Sequence, residues 1–314
     1  MNKIKSILIM AILLASVLIV ISPVSAATYN VYPGDDIEAI IESATSGDTI
    51  YIHAGTYYPT GTITVSGHPS IIGDTPSNTI IDFNHINGGI DASSQDGVTI
   101  KNITVKNSTG VGIRVDEECL VENCIVYGSG DNGFFADEDS TFKNCLSYGN
   151  NGDGFNDDED CTYINCTSVG NKYDGFYSDE GGTKVINCIA VANMNDGFDI
   201  EEEYGPSEII YSNAWNNDDE DYDEQGPGIG SISVDPKFVD GLNTFYLSTS
   251  SPCVDKGSEP SAALGLYEGF TTRTDGIWDK GTVDMGFHYT SNRGPPSSLP
   301  MDKILKILKG NQEE

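Results

Sequence analysis

Between residues 101 and 209 the chain repeats one pattern five times: KNITVKNSTGVGIRVDEECLV, ENCIVYGSGDNGFFADEDSTF, KNCLSYGNNGDGFNDDEDCTY, INCTSVGNKYDGFYSDEGGTKV and INCIAVANMNDGFDIEEEYGPSEI. Cys124, Cys145, Cys166 and Cys188 mark the period, falling 21, 21 and 22 residues apart. Repetition at this length builds stacked units, each burying its apolar residues against its neighbours. A unit of about 21 residues is too short for a strand plus a covering helix. It accommodates three short strands joined by bends, each coil hydrogen-bonded to the next at about 4.8 Å. The sequence therefore predicts an all-β parallel β-helix solenoid.

Aligned copies turn positions into columns. Ile103, Cys124, Cys145, Cys166 and Cys188 form one; two residues on, Val105, Val126, Ser147, Ser168 and Ala190 form another, the spacing an inward strand face requires. The cysteines read as small buried thiols, and without a CxxC pair they give no zinc site. Asn102, Asn123, Asn144, Asn165 and Asn187 precede that column and predict a bend, with stacked amides forming a ladder. This role makes Asn102 and Asn165 poor glycosylation acceptors and leaves Asn107, in NST, as the better one. Gly112, Gly133, Gly154, Gly175 and Gly197 predict a second bend, where glycine frees the turn and the next residue (Ile113, Phe134, Phe155, Phe176, Phe198) enters the core.

The ends depart from the period. Residues 1–26 read as an export signal, with Lys3 and Lys5, the apolar run ILIMAILLASVLIVI, and VSA ending at Ala26. An uncleaved membrane anchor is the alternative. Either places the rest of the chain outside the cytoplasm, secreted or at the cell surface. Residues 27–60 read as an N-terminal cap of strand, short helix and strand, with Ile37, Ile40 and Ile41 on one apolar face. Residues 61–248 are assigned to the β-helix, 249–290 to an irregular closing cap, and 291–314 to a Pro/Ser linker and short helical tail.

The formal charge of −32 argues against unaided binding to nucleic acid or an anionic membrane, and an anionic polysaccharide would need bridging cations. The charge is concentrated: residues 131–224 carry 24 Asp or Glu and only Lys143, Lys172 and Lys184. Three positions after each core Phe or Ile stand Asp116, Asp137, Asp158, Asp179 and Glu201; next come Glu117, Glu138, Glu159, Glu180 and Glu202; then Glu118, Asp139, Asp160, Gly181 and Glu203. At one strand spacing each unscreened carboxylate pair costs on the order of 1 kcal/mol even in water. Hard divalent cations, calcium above all, would offset that cost. A solvated acidic stripe, suited to high salt or to keeping coil edges apart, is the alternative. No EF-hand loop is present.

Three segments carry a resemblance to a known group: VYPGDDIEAIIESATSGDTIYIHAGTYY, the NC…N..DGF coils, and DPKFVD…FYLSTSSPCVDKG…DMGFHY. Together they resemble the right-handed parallel β-helix proteins of the pectate-lyase-like superfamily, over almost the whole mature chain. NMNDGFD is similar to the Asn-Gly-Asp-Asp-Gly-Phe-Asp coil of its calcium-dependent pectate lyases. In those enzymes the carboxylates hold calcium and a lysine from a nearby coil abstracts the proton. The resemblance implies Asp196 and Asp199 as calcium ligands, with Asp174 one coil earlier, and Asp153 and Asp157 in a similar coil. The pattern departs at the first Asp of the pair, which is Asn195 here, and Tyr173 and Gly152 in the earlier copies.

Two functional readings follow. In the first, an exported, non-catalytic surface, adhesion or matrix protein binds calcium on its acidic face, and through it an extracellular polysaccharide or cell-surface glycan. In the second the protein is a polysaccharide lyase acting on uronate glycans, where β-elimination needs a neutralised carboxylate and a base for the adjacent proton. Lys172 and Lys184 are the candidate bases, with surface charge balance as their alternative role. The scarcity of cations in the acidic coils favours the first reading. A glycosidase built on paired carboxylates is open too, but so many acids single out no pair. The histidines, at 53, 68, 85 and 288, lie outside the repeats and lend no support to a Ser-His-Asp arrangement.

Overall fold

A computed structural model describes residues 25–86, 88–203, 205–239 and 245–291. The expected export signal up to residue 24 and the tail from residue 292 lie outside the described residues. Three parallel sheets run the length of a solenoid of about nine turns with about 21 residues per coil. Each coil contributes one strand to each sheet in turn. In one coil these are Leu120–Glu122 (sheet A), Ile125–Tyr127 (sheet B) and Phe134–Glu138 (sheet C). Register follows the sequence period: Cα partners on sheet C run Ile113, Phe134, Phe155, Phe176, Phe198 and Tyr222.

The interior is the set of columns read from the sequence. The rings of Phe134, Phe155, Phe176, Phe198 and Tyr222 stack with centroids 4.9, 4.7, 5.0 and 5.3 Å apart. Such offset stacks add to area burial, so each ring anchors its coil to two neighbours. Cys124, Cys145, Cys166 and Cys188 are fully buried and unpaired. Each thiol donates to backbone carbonyls, as Cys145 does to Val121 at 3.4 Å.

The bends are settled by amides. Asn102, Asn123, Asn144, Asn165 and Asn187 adopt φ of 60°, 54°, 51°, 53° and 57°, the left-handed region that Asn tolerates best after Gly. Side-chain hydrogen bonds run from the amide of Asn123 to Asn102 Oδ1 (2.8 Å), of Asn144 to Asn123 Oδ1 (3.2 Å) and of Asn187 to Asn165 Oδ1 (3.2 Å). A second ladder, not anticipated from the sequence, turns the chain from sheet B into sheet C. Asn150, Asn171 and Asn193 are fully buried, and their amides donate upward at 2.9, 3.0 and 3.0 Å, ending on Asn217.

The glycine column corrects its expected cause. Gly133, Gly154 and Gly175 are not among the positive-φ residues, so the turn does not need their freedom. They are required by close approach instead. A Cβ on Gly154 would lie 2.7 Å from Asn171 Nδ2 and 2.7 Å from the Gly175 carbonyl, and closer still to Ser168 Oγ.

At the N-terminal end the helix Ile37–Glu42 starts on Asp36, whose carboxylate accepts from the Ala39 N–H at 3.1 Å, and buries Ile37 and Ile41 against the first coil. The C-terminal segment differs from an end closure: it lies along the flank. Phe245, Tyr246, Phe287 and Tyr289 pack on Ile125, Leu146, Tyr148 and Val169 of sheet B's outer face. Its backbone also enters the first ladder. The His288 N–H donates to Asn144 Oδ1, and Asn144 and Asn165 donate to the carbonyls of His288 and Asp284, both within 2.9 Å. The outer face of sheet B is thereby occupied, while the outward residues of sheet C, Arg114, Phe135, Asn156, Tyr177 and Asp199, are half-buried. Among the described residues no helix is long and apolar enough to cross a membrane.

Candidate metal centre

The fold places the acidic residues on one side, along sheet C and the turns at its ends. Glu118, Asp139 and Asp160 sit in left-handed turns at φ 53°, 52° and 54°, which explains the acidic or amide-like residue preferred there. Asp137 and Glu138 are half-buried, Asp158 and Asp179 exposed, Glu159 and Glu180 half-buried. The carboxyls of Asp116 and Asp137 lie within hydrogen-bonding reach, and burial followed by that contact holds Asp116 above its ordinary range. Glu117 is raised chiefly by its contact with Glu138. For Glu138 the contact with Glu117 lowers and that with Glu159 raises, leaving it raised. The stack does not continue as the sequence suggested. The fourth coil carries one extra residue, so Glu159 pairs with Gly181 and Glu180 falls out of the column.

Asp157 is withdrawn from the set of expected cation ligands. It alternates inward with Phe155, is fully buried, and accepts from Tyr163 (2.7 Å), Ser178 (3.0 Å) and Thr183 (2.6 Å). Burial pushes its carboxyl up to about 6 against those hydrogen bonds. Its role is to satisfy three buried hydroxyls where the solenoid core turns polar.

The convergent site lies at the entry to sheet C. Asp174, Asp196 and Asp199 each present a carboxylate oxygen within 4.8 Å of the others. The second asparagine ladder sets the bend that delivers them. Asp153, Asp174 and Asp196 are stacked there, and one oxygen of each accepts the next coil's backbone N–H: Asp174, Asp196 and Glu220, at 2.9, 2.7 and 2.7 Å. That bond fixes each carboxylate. Asn195, where the lyase pattern has Asp, donates to Asp174 Oδ1 at 2.8 Å. Asp153 is occupied by Asn156 on its other oxygen, at 2.8 Å, and lies outside the convergent group.

Asp199 comes from the outer row of sheet C, beside Asp223 of the next coil. Its Oδ1 is buried without a hydrogen-bond partner. Burial first, then the charges of Asp174, Asp223, Asp196 and Glu201, push its carboxyl up to about 7. Burial likewise raises Asp174 and Asp196. A half-buried, all-oxygen pocket of like charges with an orphaned acceptor suits a hard cation such as calcium, whose remaining ligands are water or a bound anion. Glu201 stands at the edge of this field, itself raised by burial and by Asp179.

The two candidate bases separate. Lys184 is exposed on sheet A, away from the cluster's sheet. Lys172 lies in the bend two residues before Asp174, exposed, with its ammonium 5.5 Å from the Tyr173 ring centroid. A second carboxylate group, Asp255, Asp279 and Asp284, was not legible because its members are scattered through the aperiodic segment. Two of its members are held by hydrogen bonds: Asp279 Oδ2 accepts from the Asp284 N–H at 2.9 Å and meets His288 Nε2 at 2.7 Å, and Asp284 accepts from Thr272 and from the Asp255 N–H, while the Asp255 side chain is exposed. Those bonds tie the flank segment together.

A family model described as "Pel9A-like, right handed beta helix region" matches residues 24–231. Among solved structures, the chain is similar to pectate lyase Pel9A, at 15% identity over 83% of this chain and 95% of that one, with a TM-score of 0.48. It is also similar to the A-module of mannuronan C-5 epimerase AlgE4 from Azotobacter vinelandii, at 17% identity over 64% and 72%, TM-score 0.43. A pectin methylesterase from Aspergillus niger matches at 16% over 68% and 88%, TM-score 0.44. No curated protein matches the sequence.

Proposed function

Because the chain belongs to the Pel9A-like right-handed β-helix family, we propose that it binds an acidic polysaccharide outside the cell through a divalent cation, most simply calcium. The observation that carries this reading is the convergence of Asp174, Asp196 and Asp199 within 4.8 Å, with the buried Asp199 Oδ1 lacking any partner. Asp174 and Asp196 are pre-positioned by backbone N–H bonds, so little ordering is needed to use their remaining oxygens. The bound cation would supply positive charge to neutralise a uronate carboxylate, which this acidic surface would otherwise repel. The stacked pairs Asp137–Glu138 and Asp158–Glu159 would hold further, looser cations along the same side, with Glu180 outside that stack.

The role we favour is non-catalytic. A lyase needs a base beside the cation, and Lys184 stands on another sheet. Lys172, on the bend that carries Asp174, keeps a lyase as the second reading. One experiment separates the two. A panel of uronate polysaccharides is tested for binding, and for the ultraviolet absorbance of unsaturated products, with millimolar calcium and with chelator. Calcium-dependent binding without new absorbance supports the proposal. New absorbance supports the lyase, and absence of binding in calcium overturns both.

A further inference from the structure

The outer row of sheet C leads away from the carboxylate cluster. In register, one residue per coil, it runs Asp199, Tyr177, Asn156, Phe135, Arg114. All five point outward, since their strand neighbours Ile113, Val115, Phe134, Phe155, Phe176 and Phe198 are fully buried. Arg114 is the sole arginine of the repeats, and it lies four coils from Asp199, roughly 19 Å at the strand spacing. Its guanidinium carbon is 4.5 Å from the Phe135 ring centroid. Stacking of this kind fixes the plane of the fork, and with the side chain 43% exposed it is the terminal amino groups that can meet a planar anion. The neighbouring carboxylate does not use that fork well: Asp137 is 3.8 Å away, and Arg114 Nε is buried with no hydrogen-bond partner. Between the two ends the row carries the half-buried rings of Phe135 and Tyr177, the latter donating its hydroxyl to Asp179 at 2.9 Å, and an amide at Asn156, held by Asp153 at 2.8 Å.

We infer that Arg114, stacked on Phe135, is a carboxylate subsite for the far end of a polyuronate whose near end is held at the Asp174–Asp196–Asp199 cluster. The inference rests on the proposed function and adds a length requirement to it. A chain lying along the row must span about four coils to meet both charges, passing Tyr177 and Asn156 on the way. Arg114 also balances the charges of Asp116, Asp137 and Asp158, so its loss must be read against that role.

The test is isothermal titration of polyuronate oligomers of two to eight residues, in millimolar calcium at physiological ionic strength, on wild type, Arg114→Gln, Arg114→Lys and Asp199→Asn. Arg114→Gln should weaken the long oligomers about tenfold and leave the shortest unchanged. The screening length of about 8 Å keeps a mere change of net charge from acting across the row. Arg114→Lys, which keeps the charge but not the flat fork, should recover part of the loss. Asp199→Asn should weaken every length. Equal affinity of wild type and Arg114→Gln for the long oligomers, or equal weakening at all lengths, overturns the subsite and leaves the cation site standing. Wild type binding no oligomer in calcium overturns both. Thermal melts of each variant identify a loss caused by unfolding, and Arg114→Lys then decides the outcome.

Discussion

Replacing Asp199 by asparagine removes one charge from the cluster while keeping the side chain's shape. In the cation-free protein above pH 7 the three carboxylates repel. Two unit charges at the 4.8 Å limit cost roughly 1 kcal/mol in water and roughly 3.5 kcal/mol at an effective dielectric of about 20. Asp199 faces two such neighbours and is half-buried, so the lower end applies and the relief is about 2 kcal/mol. No hydrogen bond is lost at Oδ1, which has none. For a chain of this size the gain corresponds to a melting temperature higher by about 3–4 °C in chelator at pH 8. Calcium reverses the order. At about 100 times its dissociation constant it should stabilise wild type by roughly 2.7 kcal/mol per site, and the variant by less than half as much. The assay is differential scanning calorimetry of both proteins in chelator, in millimolar calcium, and in sodium chloride of matched ionic strength. A variant less stable than wild type in chelator, or one keeping the full calcium-specific shift, would refute the reasoning.

Other expectations follow from the same geometry. Without cations the protein should lose stability as pH rises from about 4 to 8. Burial and like charge hold Asp199 up at about 7 against the ordinary 3.8, so the native state keeps protons the unfolded chain has already released; calcium should flatten the slope in pH-dependent melts. Gly154→Ala should destabilise by about 1–3 kcal/mol through overpacking of a fully buried bend, seen in denaturant unfolding, whereas a loss expected from turn freedom alone would be smaller. Alkylation under denaturing conditions without reductant should label Cys124, Cys145, Cys166 and Cys188, which are buried and unpaired; a disulfide between any two in mass spectra would contradict the column.

What the sequence disclosed tracks what repeats. Stacking makes every inward position a column, so the Phe and Cys columns and the first asparagine ladder could be read before any coordinates. The second ladder stood in the same alignment at Asn150, Asn171 and Asn193, yet its role needs full burial, which polarity alone does not announce. Asp157 failed as a ligand because strand alternation turns it inward, a fact contained in its distance of two from Phe155. Glu180 failed because one inserted residue shifts the register beyond it. Arg114 carries no sequence signal because its setting depends on Phe135 of the next coil, which only the strand register brings beside it. The flank segment was opaque for a different reason: its contacts with Asn144 and Asn165 are 119 residues or more away in sequence and follow no period.

The central claim is that Asp174, Asp196 and Asp199 hold a hard cation, and crystals grown with calcium test it most directly. Anomalous scattering locates the ion without assumption. The account expects a peak within about 2.3–2.6 Å of one oxygen from each of the three carboxylates, absent in crystals of Asp199→Asn. Calcium found only among the outer columns, or at Asp255, Asp279 and Asp284, with none between these three residues, would contradict it.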